Sequence, residues 1–290
     1  MQAIVYYISL PFIYLISLLP FPLLYLFSDL IYVLLFKIIG YRKKVVLTNL
    51  KNSFPEKSDA EINLIATKFY KYFCDLTLET IKTLTVSPSA LRKHVFFEDV
   101  SLFKKYYDEK KSVIIVMGHY GNWELGGARF GVENLHTLFV IYHPLNNKYF
   151  DKLVYKMRTR LGNKLYSMNE TLRGMVRDRN NLTATAFIAD QTPSQLNVYW
   201  TTFLNQDTPV FTGPEKIARK FNYPVIYVSV KRPKRGLYKV ENQLLAEEPE
   251  KTTDNEISEK FTRFLEKDII LQPEIWLWTH RRWKHKRPTK

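Results

Sequence analysis

A histidine and a glutamate stand five residues apart in the segment His119-Tyr120-Gly121-Asn122-Trp123-Glu124. The segment follows an apolar run, 112–118, that reads as a buried strand. Both side chains are therefore delivered at a strand-to-helix turn, where open α/β sheets place their ligands. On one continuous helix, five residues turn a side chain by roughly 140°, which points the two groups apart. His119 is thus expected in the turn, with Gly118 and Gly121 relaxing the backbone, and Glu124 in the first helical turn. From there the carboxylate can hold one imidazole nitrogen and leave the other facing a substrate.

Such an arrangement suits general-base catalysis. Imidazole changes charge near neutral pH, and a helix N-terminus favours its neutral form. The glutamate would fix the tautomer and stabilise the imidazolium. No Gly-x-Ser-x-Gly elbow is present, and the single cysteine, Cys74, lies in another segment, so the expected nucleophile is a substrate hydroxyl. A buried His–Glu pair that caps a helix meets the same short pattern. Asn122 also reads two ways, as a donor to a developing oxyanion or as the cap of the helix that starts there.

The elements that position these groups follow from the pattern. Ser58-Asp59-Ala60-Glu61 opens a helix with a capping box, carried by Ile65, Phe69, Phe73 and Leu76 to about Leu84 and stopped at Ser87-Pro88. A short strand at 95–97 and a helix near 102–108 precede the strand at 112–117 and the helix ending near Arg129. Strands at 138–142, 184–189 and 225–231 alternate with helices at 149–161, 171–179 and 212–221. Alternation of this kind predicts an α/β fold with a mostly parallel central sheet flanked by helices. Asp190-Gln191 then falls at the C-terminal end of a strand, the ligand-binding edge, although loop capping explains the pair equally well. Arg160 ends a helix that also carries Lys152, Lys156 and Arg158, which otherwise reads as a solvated basic face.

Several blocks in order give the chain a family resemblance. Residues 41–50 and 53–56, the catalytic block 118–124, Pro144-Leu145-Asn146-Asn147, Arg160-Leu161-Gly162, Asp190-Gln191 and the tail 273–284 resemble the late acyltransferases of lipid A biosynthesis. These belong to the broader glycerolipid acyltransferase-like group with an H-x-x-x-x-D/E motif. Each block is weak alone, and together they span most of the chain. The resemblance implies transfer of a fatty acyl group from an acyl carrier protein thioester to a hydroxyl of a lipid A precursor. It implies His119 as base and Glu124 as its orienting partner. It further implies substrate contacts at Gly121, Asn122, Arg160, Asp190, Gln191, Arg281 and Arg282, with no metal, cofactor or covalent acyl-enzyme. Family members carry an arginine just before the Pro-Leu-Asn block, where this chain has Ile141-Tyr142-His143. Imidazole replaces a guanidinium only in part.

Composition is consistent with that reading. The 290 residues carry a net charge of +15, which calls for an anionic partner such as a membrane surface, a phosphorylated lipid or an acidic carrier protein. Nucleic acid is disfavoured, because no zinc-finger, RNP or helix-turn-helix pattern accompanies the charge. One cysteine excludes an internal disulfide, and the six histidines show no metal-ligand spacing. Residues 1–28 hold no charged side chain, and apolar character resumes after Asp29 to Ile39. That length can span a bilayer, while Pro11, Pro20 and Pro22 favour a kinked span or a shallow helical hairpin. Lys37, Arg42, Lys43 and Lys44 follow, which by the positive-inside bias sets the rest in the cytoplasm, on the inner face of the inner membrane. The division expected is a membrane anchor over 1–40 and an acyltransferase domain over 41–290. In the tail, Trp276, Trp278 and Trp283 alternate with Arg281, Arg282, Lys284, Lys286 and Arg287, a composition suited to an interfacial belt. Acylation of another lipid, or a non-catalytic basic membrane- or nucleic-acid-binding role, are the alternative functions.

Overall fold

A computed structural model describes residues 2–133, 135–194 and 198–287. The chain opens with α1 (Gln2–Leu18) and α2 (Phe21–Tyr32), which runs on as a π-helical turn, Val33–Ile39, and stops at Gly40 in the left-handed region. Next come α3 (Lys43–Ser53), α4 (Asp59–Lys82) and α5 (Pro88–His94). The expected capping box opens α4: the Ser58 N–H donates to Glu61 Oε2 at 2.8 Å, and the Glu61 N–H donates back to Ser58 Oγ at 3.4 Å. The alternating part comprises β1 (Val95–Phe97), α6 (Ser101–Asp108), β2 (Val113–Met117), α7 (Trp123–Gly131), β3 (Thr137–Tyr142) and α8 (Lys148–Thr159). It continues through β4 (Lys164–Ser167), α9 (Thr171–Arg177) and β5 (Thr183–Ile188). After them lie the hairpin β6 (Tyr199–Phe203) and β7 (Gln206–Val210), then α10 (Gly213–Phe221), β8 (Val225–Lys234), β9 (Leu237–Ala246) and α11 (Glu256–Leu271).

Seven strands form the main sheet in the order β1-β9-β8-β2-β5-β3-β4. All neighbours are parallel except the β8–β9 hairpin, so the fold is the expected α/β type with a mostly parallel sheet. β2 sits in the middle with every residue buried. Its side chains alternate between two cores: Ile114 and Val116 pack with α4 and α11, while Val113, Ile115 and Met117 face α5 and α7. A strand covered on both faces reads as one apolar run, which is why 112–117 is conspicuous in the sequence.

α1 and α2 lie against the domain rather than apart from it. Phe21 and Leu24 enter the core with Leu78, Val86 and Leu91, while Tyr32 packs with Val46 and Leu50. A polar seam runs beside them: Tyr25 Oη donates to Glu79 at 2.7 Å, Ser28 Oγ to Asp75 at 2.6 Å, and Arg235 pairs with Asp29 at 2.8 Å. The opposite face is open, with Ile8, Phe12, Leu15, Leu26 and Leu30 all exposed. The 19-residue helix Phe21–Ile39 is long and apolar enough to cross a membrane.

Candidate active site

Register delivers the central pair. Met117 of β2 is aligned with Ile188 of β5, and His119 and Asp190 each stand two residues further on. His119 Nδ1 lies 2.6 Å from Asp190 Oδ1, and the His119 backbone N–H donates to Asp190 Oδ2 at 2.9 Å. Trp276 Nε1 donates to the same Oδ2 at 2.8 Å. With Nδ1–H donating to the carboxylate, Nε2 is left as the acceptor, and Gln191 Nε2 lies 3.4 Å from it. Burial by itself raises the Asp190 carboxyl. The His119 charge and these donated bonds more than offset it, holding the group below the usual carboxylate range. The Trp123 ring meets the imidazole edge-on, centroids 4.8 Å apart.

The partner expected from spacing is therefore replaced. Glu124 does open α7 beside His119, but its carboxylate is bound by Arg158 of α8, with Nη2 to Oε1 at 2.5 Å and Nε to Oε2 at 3.1 Å. A local five-residue spacing cannot compete with a carboxylate presented in register by the neighbouring strand. Arg158, which reads in the sequence as part of a solvated face, thus supplies the guanidinium on the wall of the site. Burial, the largest cause, lowers its pKa, but the Glu124 charge and hydrogen bond together with Tyr142 outweigh it and raise the group above the usual arginine range.

The turn itself is held by backbone and side-chain clamps. Gly121 has φ +60, and an added Cβ would run into the carbonyl oxygen of Val230, so glycine is required here. Gly118 is not in that region; Leu265 instead packs where its Cβ would stand. The Gly121 N–H donates to Ile275 O at 2.9 Å, and its carbonyl accepts from Tyr72 Oη at 2.6 Å. Gly121 therefore shapes the turn and does not contact substrate through its amide. Asn122 is fully buried. Its Oδ1 caps α7 through the Leu125 N–H at 2.9 Å, and its Nδ2 donates to Glu79 at 2.7 Å. The cap reading holds; the oxyanion reading loses its support, since Nδ2 is turned to Glu79 and Asn122 does not line the cavity beside His119. The backbone donors of His119 and Gly121 are likewise used.

Other expected contacts move away from the site. Arg160 leaves the end of α8 and ties it to the segment after α4, with Nε on Thr83 O at 3.0 Å and Nη2 on Val86 O. Arg282 is buried, with Nη2 donating to Pro209 O at 2.7 Å, while Nε and Nη1 have no partner among the described residues. Burial drives its pKa down to about 10, against the pull of Asp190. Arg282 thus lies in the interior rather than on a headgroup-binding surface. Arg281 is exposed, and its carbonyl accepts from Thr192 Oγ1 at 3.3 Å. The tail tryptophans also turn inward: Trp278 is fully buried with Nε1 on Pro273 O, and Trp283 Nε1 donates to Thr208 Oγ1, both at 2.7 Å. Tyr120 and Trp276 form an antiparallel bridge, which draws this segment against the turn that carries His119. The blocks at 41–50 and 273–284 meet in space, where Asn49 Nδ2 donates to Trp278 O and His280 O, each at 2.9 Å.

His119 opens into a cavity of about 610 Å³. Its wall runs from His119, Glu124 and Gln191 past Leu138 and Val228 to Phe97 and Phe103, and is predominantly apolar. A volume of this order suits a small-molecule or chain-like ligand. A cavity that is polar at one end and apolar along its length fits a molecule with one reactive group and a hydrocarbon body.

Residues 1–285 match the bacterial lipid A biosynthesis acyltransferase model. A lipid A biosynthesis palmitoleoyltransferase of Escherichia coli is 24% identical over 269 residues, covering 92% of this chain and 86% of that protein. A lipid A biosynthesis acyltransferase of Haemophilus influenzae is 25% identical over 277 residues, with the same coverage of 92% and 86%. A lipid A biosynthesis lauroyltransferase of E. coli is 23% identical over 278 residues, covering 94% and 89%.

Proposed function

Because the chain belongs to the bacterial lipid A biosynthesis acyltransferases, we propose that it transfers a fatty acyl group from acyl carrier protein to a hydroxyl of a lipid A precursor. The observation that carries this reading is the His119–Asp190 pair set at the polar end of an apolar cavity. In this mechanism the acyl chain lies along the cavity, with its thioester carbonyl near His119. His119 Nε2 takes the proton of the acceptor hydroxyl as its oxygen attacks that carbonyl. Asp190 keeps the tautomer and offsets the charge of the imidazolium. Collapse of the tetrahedral intermediate breaks the carbon–sulfur bond, and the departing thiolate takes the proton back from His119.

Charge on the carbonyl oxygen needs a donor during the attack. With the His119 and Gly121 amides engaged elsewhere, we assign this role to Arg158 and Gln191, which line the cavity together with His119 and come within hydrogen-bonding distance of Glu124 and of His119 Nε2 respectively. Glu124 then serves catalysis by holding Arg158 at the wall. Hydrogen-bond donors aimed at developing charge contribute about 10²–10³-fold each.

Membrane attachment is assigned to residues 1–40, whose exposed apolar face would enter the cytoplasmic leaflet of the inner membrane. The seam to Asp75 and Glu79 favours a hairpin lying along the domain over a free span, since a helix docked along its length cannot also cross the bilayer. The deciding experiment incubates the purified full chain with acyl carrier protein thioesters and a tetra-acylated phosphorylated disaccharide, followed by mass spectrometry of the lipid. A mass increase of one acyl group in the wild type and none in His119→Ala is expected. Transfer from coenzyme A thioesters at equal efficiency would overturn the donor assignment.

A further inference from the structure

Glu79 is buried to zero exposure in α4, and its carboxylate receives three hydrogen bonds. Tyr25 Oη of α2 donates to Oε1 at 2.7 Å, while Tyr238 Oη of β9 at 2.6 Å and Asn122 Nδ2 at 2.7 Å share Oε2. A carboxyl group taken out of water is costly even when fully bonded, and an apolar side chain of similar size would fill the same place at lower cost. Burial accordingly moves its pKa upward, against the donors that hold it. The arrangement is explained if those bonds set a geometry that packing alone would not.

The bond to Asn122 meets that requirement. Asn122 caps α7 and lies between His119 and Glu124 in the chain, so its position fixes where both begin. Tyr72 stands two turns before Glu79 on the same helix and holds the adjacent Gly121 carbonyl. One face of α4 thus grips two consecutive residues of the turn. Glu79 extends that grip to α2, because Tyr25 occupies the other carboxylate oxygen. Tyr25 is itself fixed by the Arg235 guanidinium 5.0 Å over its ring. On the far side of α2, Leu23, Leu26 and Leu30 are exposed.

We propose that Glu79 is a positioning residue, which aligns the His119 turn through Asn122 and, through Tyr25, makes α2 part of that alignment. The proposal rests on the base role of His119 for its kinetic part only. Seating of α2 then reaches the reacting geometry through two hydrogen bonds, and misplacement of a catalytic group by about 1 Å costs on the order of 10²-fold.

The test uses the full chain in phosphatidylethanolamine–phosphatidylglycerol vesicles, labelled with 5-fluorotryptophan. The Trp123 resonance is assigned by Trp123→Phe and reports the imidazole edge it packs against. Tyr25→Phe, which leaves Glu79 Oε1 without its donor, is expected to bind vesicles as the wild type does and to stay folded at the assay temperature despite a lower melting midpoint, to shift the Trp123 resonance, and to lower kcat about tenfold with KM unchanged. Glu79→Leu should shift the resonance further, while Glu79→Gln, whose amide oxygen still accepts from Asn122, should recover most of the loss. An unmoved Trp123 resonance in both Tyr25→Phe and Glu79→Leu overturns the proposal, with or without acyl transfer in the wild type. A loss of kcat that merely follows a lower folded fraction, with no recovery by Glu79→Gln, also overturns it.

Discussion

Asp190 and His119 are 71 residues apart in sequence, yet Nδ1 and Oδ1 lie 2.6 Å apart because parallel register carries them to the same edge of the sheet. Asp190 also receives the His119 N–H and the Trp276 indole, so its orientation is set from three sides. Asp190→Asn keeps the shape but forfeits the charge and the tautomer it selects. Turnover should fall by about 10²–10⁴-fold with little change in acceptor KM. Steady-state kinetics with a folded variant checks this, and a loss under tenfold would remove Asp190 from the mechanism.

Glu124 and Arg158 should act as one unit. Arg158→Ala is expected to lower kcat by about 10²-fold, and Glu124→Ala nearly as much, because the guanidinium is then released from the wall. The double variant should cost little more than either single change. A double-mutant cycle measures this, and additive losses would show that the two residues serve separate purposes.

Chain length should respond to Gly127. It lines the cavity from α7, and the nearest atom to an added Cβ is Leu138 Cδ2 at 3.9 Å. Gly127→Phe therefore adds a ring with room to project into the cavity, at a helical position where glycine is itself unfavourable. Competition between donors of different length should move toward shorter chains with the fold intact. Unchanged preference would mean the acyl chain does not occupy this part of the cavity.

Acid should loosen the C-terminal segment through His280. Burial, the largest cause, brings its pKa down to about 4, so the folded protein keeps this ring neutral. The unfolded chain takes up the proton from its ordinary value of about 6.5 downward. Stability from this source is complete above that value and is lost progressively as pH falls to about 4. Melting midpoints from pH 7 to 5 should drop more for the wild type than for His280→Gln. Parallel curves would refute the assignment.

Removal of residues 1–40 should destabilise the rest. Phe21, Leu24 and Tyr32 complete both cores, and their loss would also expose Asp75 and Glu79. A chain beginning at Tyr41 is expected to melt well below the intact protein, as differential scanning calorimetry in detergent will show. An unchanged midpoint would mean that the N-terminal helices serve as tether alone.

Most of the helix and strand alternation from Ser58 to Lys231 is legible because period and punctuation are local properties, while the short α5 and β4 give too few residues to show a period. His119 was legible for the same reason. Its partner was not, since nothing local pairs 119 with 190; a parallel register does. Arg158 and Arg160 differ by two positions on α8, and only the packing of that helix decides which one faces the cavity. Pro209 within Gln206–Val210 conceals a strand that the structure tolerates in a two-stranded hairpin. Tryptophans set among charges read as a membrane belt, but the bridge from Trp276 to Tyr120 pulls them into the core. In α11, by contrast, Ile257, Phe261, Leu265 and Ile269 recur at helical spacing and carry a readable signal.

The pairing of Asp29 with Arg235 also has a bearing on how the protein is made. The two residues are 206 positions apart, so the carboxylate on the apolar helix emerges from the ribosome long before its cation exists. At typical synthesis rates the interval is roughly 10–40 s. Through that time α2 carries an uncompensated charge in an otherwise lipid-compatible sequence, which discourages premature burial in the bilayer. The contacts to Asp75 and Glu79 can form early, whereas this ion pair can close only once the β8–β9 hairpin has been translated, so the last polar contact of α2 is supplied by the last third of the chain.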